Sequence, residues 1–203
     1  MSIKLYYSPM TRAGRCRWAL EELGVPYELV RLDLQKGEHK RPEYLRVHPL
    51  GRVPALVDGD LALIESVAIC MYLADKYADK GLAPALDDPR RGPYYQWMMF
   101  VTATMEAQLT TLVAHTLRLP AEQRVPALAD AARSELASAF AYLDDALARG
   151  PYLLGDWFTM ADVVVGSGMA WAAGMGLLIN CPNIQAYVAR ISQRPALQRS
   201  RVD

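Results

Sequence analysis

Four hydroxyl side chains, Tyr6, Tyr7, Ser8 and Thr11, stand between a short strand-like run and the start of a helical pattern, beside Arg12, Arg15 and Arg17. The first turn of a helix offers free N–H groups and the positive end of its dipole, so a hydroxyl placed there can help hold an anion. Cys16 lies in the same cationic stretch, where a thiolate would be stabilised. Its place on an apolar stripe with Ala13, Leu20 and Leu23 reads instead as packing. Glu65 and Ser66 open a second helical pattern, whose N–H groups suit a carboxylate while the Glu65 side chain suits an ammonium. The same pair would also serve simply as a helix cap. Lys36, His39, Lys40, Arg41, Arg46, His48 and Arg52 form a basic stretch able to draw an anionic ligand. His39, His48 and His115 share no coordinating spacing, and no metal is expected.

The elements that must position these groups are legible from periodicity. Ile3, Leu5 and Tyr7 alternate in a strand ended by Ser8-Pro9, and a helix on Ala13, Cys16, Leu20 and Leu23 stops at Gly24 and Pro26. Tyr27 to Leu32 reads as the second strand. Val53 to Val57 and Leu61 to Ile64 flank Asp58-Gly59-Asp60, a hairpin signal. Pro54 within the first of these runs marks an edge strand or a special backbone geometry. Glu65 to Tyr77 returns to helical spacing, and Asp79 to Pro93 has the composition of a linker. Beyond it, 94–117, 123–149, 159–173 and 184–193 all read as helices, with Thr159 and Asp162 spaced as a capping pair. The uncharged run 163–189 is broken by four glycines, which suits a close-packed globular helix and not a membrane span.

Composition bounds the rest. The chain has 203 residues, 52% of them hydrophobic and 22% charged, which is enough apolar surface for a substantial core and excludes disorder. Twenty-two basic residues balance twenty-two acidic ones, so no whole-molecule field draws nucleic acid or anionic lipid. Cys16, Cys70 and Cys181 form no C-x-x-C, and no secretory pattern opens the chain, so a cytoplasmic protein without disulfides is expected.

Leu5-Tyr6-Tyr7-Ser8-Pro9-Met10-Thr11-Arg12, Trp18 to Leu23, Pro49-Leu50-Gly51-Arg52-Val53-Pro54-Ala55-Leu56 and Glu65 to Ile69 together resemble the first-domain landmarks of the soluble glutathione transferases. Tyr152 to Gly155 and Thr159 to Asp162 resemble landmarks of the second domain, so the likeness covers nearly the whole chain in order. The bacterial, cytosolic-type members of the theta-like, serine-type branch are the nearest pattern. The resemblance implies an α/β thioredoxin-like N-terminal domain over 1–79, a linker over 80–91, and an all-helical domain over 92–203 that forms the pocket for an electrophile. It implies a homodimeric transferase of detoxification type, with glutathione as co-substrate and a small hydrophobic electrophile as its partner. By the same carry-over Glu65 and Ser66 hold the γ-glutamyl end and Val53, before a cis Pro54, pairs with the cysteinyl backbone. His39, Lys40 and Arg52 take the glycyl carboxylate.

Gap-free alignment to the serine-using branch places Thr11 at the activating hydroxyl, with Tyr7 as runner-up and Ser8 behind it. Threonine is a departure from serine, since its methyl group restricts the rotamer. A glutathione-dependent disulfide reductase or glutathionyl-removing enzyme, or a non-catalytic glutathione-binding protein, therefore stands as an alternative to conjugation. Met10 is the first-domain residue expected beside the electrophile.

Overall fold

The computed structural model describes residues 3–202, so residues 1, 2 and 203 at the ends of the expected ranges lie outside it. Contacts divide the chain into two units, one running to Ala85 and taking in the segment from Ser192 onward, the other spanning Leu86–Ile191. Against an expected boundary within 80–91, the division falls between Ala85 and Leu86, and the chain's end clusters with the first unit.

In the first unit β1 (Ile3–Tyr7), α1 (Ala13–Leu23) and β2 (Tyr27–Arg31) form a crossover that sets β1 and β2 parallel, Ile3 opposite Tyr27. A 3₁₀ turn at Glu38–Lys40 and the short α2 (Pro42–Leu45) occupy the basic stretch. The hairpin of β3 (Ala55–Asp58) and β4 (Leu61–Ile64) follows, then α3 (Ser66–Lys76). Sheet order is β2-β1-β3-β4, with β3 antiparallel to β1 through Leu5 opposite Leu56. This mixed four-stranded sheet is the thioredoxin-like arrangement expected. Pro54 is not an edge-strand device, because β3 is an inner strand and begins one residue later; the proline needs no ladder bond just outside the sheet. Leu5, Trp18, Leu20, Leu56, Ile69 and Leu73 fill the core between sheet and helices. Gly24 ends α1 at φ 65°, its N–H donating to the Leu20 carbonyl at 3.1 Å.

The second unit is helical: α4 (Arg91–Met99), α5 (Ala107–Val113), α6 (Pro126–Leu147), α7 (Met160–Gly174) and most of α8 (Pro182–Ser192). The helix expected over 94–117 is not uniformly α; it widens into π turns at Phe100–Glu106 and Ala114–Arg118. Threonine hydroxyls in and beside those turns compete for the helix carbonyls: Thr102 donates to Met99, Thr110 to Glu106 at 2.7 Å and Thr116 to Leu112 at 2.6 Å. The uncharged run becomes α7 and α8, where a Cβ on Gly168 would come within 2.7 Å of the Val101 side chain. Gly168 thus serves close packing, whereas a Cβ on Gly174 or Gly176 would meet nothing within 4 Å, so those two do not; among the described residues no helix is long and apolar enough to cross a membrane.

Thr159 and Asp162 form a reciprocal cap at the start of α7. The Asp162 carboxylate accepts the Thr159 N–H at 2.8 Å, the Leu153 N–H at 3.0 Å and the Tyr187 hydroxyl at 3.2 Å. Burial outweighs these donors and pushes its carboxyl up to about 6. An acid whose folded pKa exceeds its unfolded one loses stability as pH rises from about 4 to about 6, here on the order of 3 kcal/mol. The Tm of wild type minus that of Asp162→Asn is therefore expected to fall over that window and stay flat above it, which thermal melts at stepped pH will show.

α9 (Pro195–Arg199) packs on α1 and completes the first unit.

Candidate functional site

The loop after β1 turns sharply. Met10 takes a positive φ of 56° and is fully exposed, and Thr11 follows it, one residue ahead of the Arg12 cap of α1. The Thr11 hydroxyl donates to the Ser8 carbonyl at 2.6 Å and accepts the Ala13 N–H at 3.2 Å. It is held by its own turn at the positive end of α1, on a half-buried side chain whose single proton can rotate to another acceptor. Tyr7 is buried with its ring under the Arg17 guanidinium at 5.2 Å, and Ser8 is buried as well. Of the four hydroxyls, Tyr7 and Ser8 are buried, while Thr11 and Tyr6 are half-buried, Tyr6 with its ring against Tyr44.

Helix α3 brings the second group beside the first. Arg15, one turn into α1 and buried, places Nη1 3.5 Å from the Ser66 Oγ, and the Cys16 thiol donates to the Ser66 carbonyl at 3.5 Å. Cys16 is fully buried, and burial pushes its thiol well up, so it packs α1 on α3 and is no nucleophile. Glu65 caps α3 at φ 70°, in the left-handed region that side chains rarely adopt, and its exposed side chain makes no capping hydrogen bond to the helix. A non-glycine residue held there marks a place where tertiary structure dictates backbone geometry.

The third group is gathered by the turn ahead of β3. Gly51 has φ 55°, and a Cβ on it would meet the His39 carbonyl at 2.6 Å and the Lys40 side chain at 2.9 Å. Lys40 Nζ donates to the Leu50 carbonyl at 3.1 Å, and the Tyr44 hydroxyl donates to the Arg52 carbonyl. His39 and Lys40 are thereby docked on the 50–52 turn. The Val53–Pro54 peptide is cis, as the resemblance implies. Burial lowers the His48 imidazole pKa; the Glu65 carboxylate opposes that shift, while Arg52 and Lys40 reinforce it. His48 thus sits among the charges of the second and third groups.

Thr11, Ser66, Glu65, Val53, Pro54, Arg52, Lys40 and His39 all belong to the first unit, on the loops that link its strands and helices. Arg15, Tyr44 and His48 escaped selection from sequence. Each is a polar residue buried in the fold; Arg15 and His48 are visible in the sequence as members of basic stretches, and Tyr44 not at all. Beside Ser8 and Pro9 a hollow of about 600 Å³ is lined by Leu32, Leu34, Gln35 and Lys36 among others. Among the described residues no group of three His, Cys, Asp or Glu side chains is arranged to hold a metal.

Residues 1–75 match the family model for the glutathione S-transferase N-terminal domain, and residues 112–199 that for the C-terminal domain. The chain is 33% identical to glutathione S-transferase 3 of Zea mays, over 98% of this chain and 92% of that one. It is also 33% identical to the glutathione S-transferase GstB of Escherichia coli K12, over 93% and 92%. Among solved structures it is similar to the ternary complex of BphK, a bacterial GST, with a TM-score of 0.85 and 32% identity over 97% of this chain and 96% of that one. The URE2P6 transferase of Phanerochaete chrysosporium, solved with oxidized glutathione, gives 0.87 at 28% identity over 98% and 94%.

Proposed function

The chain belongs to the glutathione S-transferase family, and from that premise we propose how its own residues join the glutathione sulfur to an electrophilic carbon. The γ-glutamyl carboxylate takes the N–H groups at the start of α3 and the Ser66 hydroxyl, with the buried Arg15 adding positive potential behind Ser66. Its ammonium takes Glu65. The cysteinyl backbone lies along Val53 beside Pro54, adding a short strand-like pairing. His39, Lys40 and Arg52 receive the glycyl carboxylate.

The sulfur then lies by Thr11. A free thiol has a pKa near 8.5, so at neutral pH only a few per cent is the nucleophilic thiolate. The Thr11 hydroxyl turns its proton from the Ser8 carbonyl to the sulfur, and the α1 N-terminus supplies positive potential; both favour the thiolate. The thiol proton passes to solvent; attack on carbon then forms the C–S bond and expels the leaving group with its electron pair, or adds to a polarised double bond whose far atom takes a proton from solvent. The observation that carries this reading is a partly accessible hydroxyl at the α1 N-terminus, one turn from the arginine that reaches Ser66.

The gap-free match that puts Thr11 at the activating hydroxyl supports the theta-like, serine-type branch as the finer placement, with threonine a departure from its serine. The working molecule is a cytoplasmic homodimer of the family's usual kind. Ser66→Ala is expected to raise the glutathione Kd about tenfold, by the loss of one hydrogen bond to a charged group, with kcat at saturating glutathione nearly unchanged. Isothermal titration beside steady-state kinetics tests it, and an unchanged Kd would remove Ser66 from the binding group.

A further inference from the structure

The chain's last residues return to the first unit and fasten to α1. Arg194 forks onto Glu22, with Nε at 2.6 Å and Nη2 at 2.8 Å, and the Glu22 side chain, 7% exposed, also accepts the Trp18 indole N–H at 2.8 Å. Arg199 donates to the Glu21 carboxylate at 2.8 Å and to its carbonyl at 3.1 Å; the same carboxylate accepts the Tyr27 hydroxyl at 2.8 Å. Arg17, buried midway along α1, donates to the Val202 carbonyl and lays its guanidinium over the Tyr7 ring.

The segment is tied to α1 by two bidentate or doubled arginine contacts and by a buried cation. Tyr7 is the last residue of β1, and the loop that carries Thr11 hangs from it. Ser8, the next residue, supplies the carbonyl that holds the Thr11 proton before it turns to the sulfur. Arg17 therefore links the C-terminal segment to the strand end that sets this loop.

We propose that the segment from Ser192 to Val202 is a strap that positions the thiol-activating loop through Arg17 and Tyr7, with Arg17 as a positioning residue. The proposal rests on the assignment of Thr11 above. A hydroxyl must meet the sulfur within a narrow range of distance and angle, and a small shift of the loop costs activation before it costs binding. Glutathione is held by α3 and by the turn before β3, neither of which the strap touches among its contacts above.

Deletion of residues 201–203 from the full chain, Arg17→Met, and the two combined test this. The readouts are kcat and KM for glutathione with an activated aryl halide, and the pKa of the bound thiol followed by thiolate absorbance. The deletion is expected to lower kcat about tenfold and raise the bound thiol pKa by about one unit, with the glutathione KM within about twofold. The combined variant should be no worse than Arg17→Met alone, because both act along one path. A deletion protein with wild-type kcat and thiol pKa overturns the strap, and the deletion alone decides if Arg17→Met does not fold. Thr11→Ala run in parallel separates the two ideas. Full turnover by Thr11→Ala removes the Thr11 assignment and, with it, the reason to place the strap in activation. A dead Thr11→Ala beside an unaffected deletion removes the strap alone.

Discussion

Replacing Thr11 by alanine is expected to lower kcat about 100-fold while the glutathione Kd stays within about twofold. The γ-glutamyl and glycyl ends are held elsewhere, so the hydroxyl contributes little to ground-state binding and much to the ionised sulfur. Removing one preorganised donor to a developing or resting anion in an enzyme site costs on the order of 100-fold in rate. The alanine also vacates the acceptor of the Ala13 N–H at the first turn of α1, a loss that water can make good on a half-buried loop. Thr11→Ser keeps both hydrogen bonds and frees the rotamer, and its kcat is expected at or above wild type. Steady-state kinetics with titrated binding checks the pair. An alanine variant at wild-type rate would transfer the role to another donor.

Gly51→Ala is expected to raise the glutathione KM at least tenfold and to lower Tm by several degrees. A Cβ there would stand 2.6 Å from the backbone oxygen of His39, a contact that cannot be relieved by turning a side chain, and φ of 55° adds strain for any residue other than glycine. Relief must come from moving the His39–Lys40 segment away from the 50–52 turn, which separates the cations that take the glycyl carboxylate. The effect falls on KM and not on kcat, since Thr11 and α1 are untouched. Kinetics against glutathione concentration, with a melting curve, separates this from general unfolding. A Gly51→Ala protein with normal KM would show that the docking of His39 and Lys40 is irrelevant to binding.

Sequence logic carried the periodic elements well, because the buried faces of α1, β1 and α7 are written in local spacing. It failed where the partner is remote. The apolar run from Val53 to Val57 looks like one strand, yet pairing with β1 spans only Ala55 to Val57, opposite Tyr6 to Lys4, and Pro54 stays outside the ladder. The π turns depend on threonine hydroxyls competing for carbonyls within a helix whose apolar period is otherwise α-helical. Nothing in the local spacing of Glu21 and Glu22 announces Arg194 and Arg199, which arrive from more than 170 residues away.

The site divides the same way. Thr11, Glu65 and Ser66 stand at helix starts, where residue type and position alone suggest chemistry. Arg15, Tyr44 and His48 act from within the fold, and Gly51 acts through the space it leaves to His39. None of these four has a local signature for its role, because each depends on what the tertiary structure packs against it.

The central claim is that Thr11 makes the bound thiol a thiolate. A pH titration of the glutathione complex, followed by ultraviolet thiolate absorbance in wild type and in Thr11→Ala, tests it directly. The account predicts that the bound thiol ionises about two units below its free value in wild type and that the substitution returns most of that shift, each unit being worth about 1.4 kcal/mol. A bound thiol that ionises at its free value in wild type, or a lowered value that survives the loss of the Thr11 hydroxyl, would contradict it.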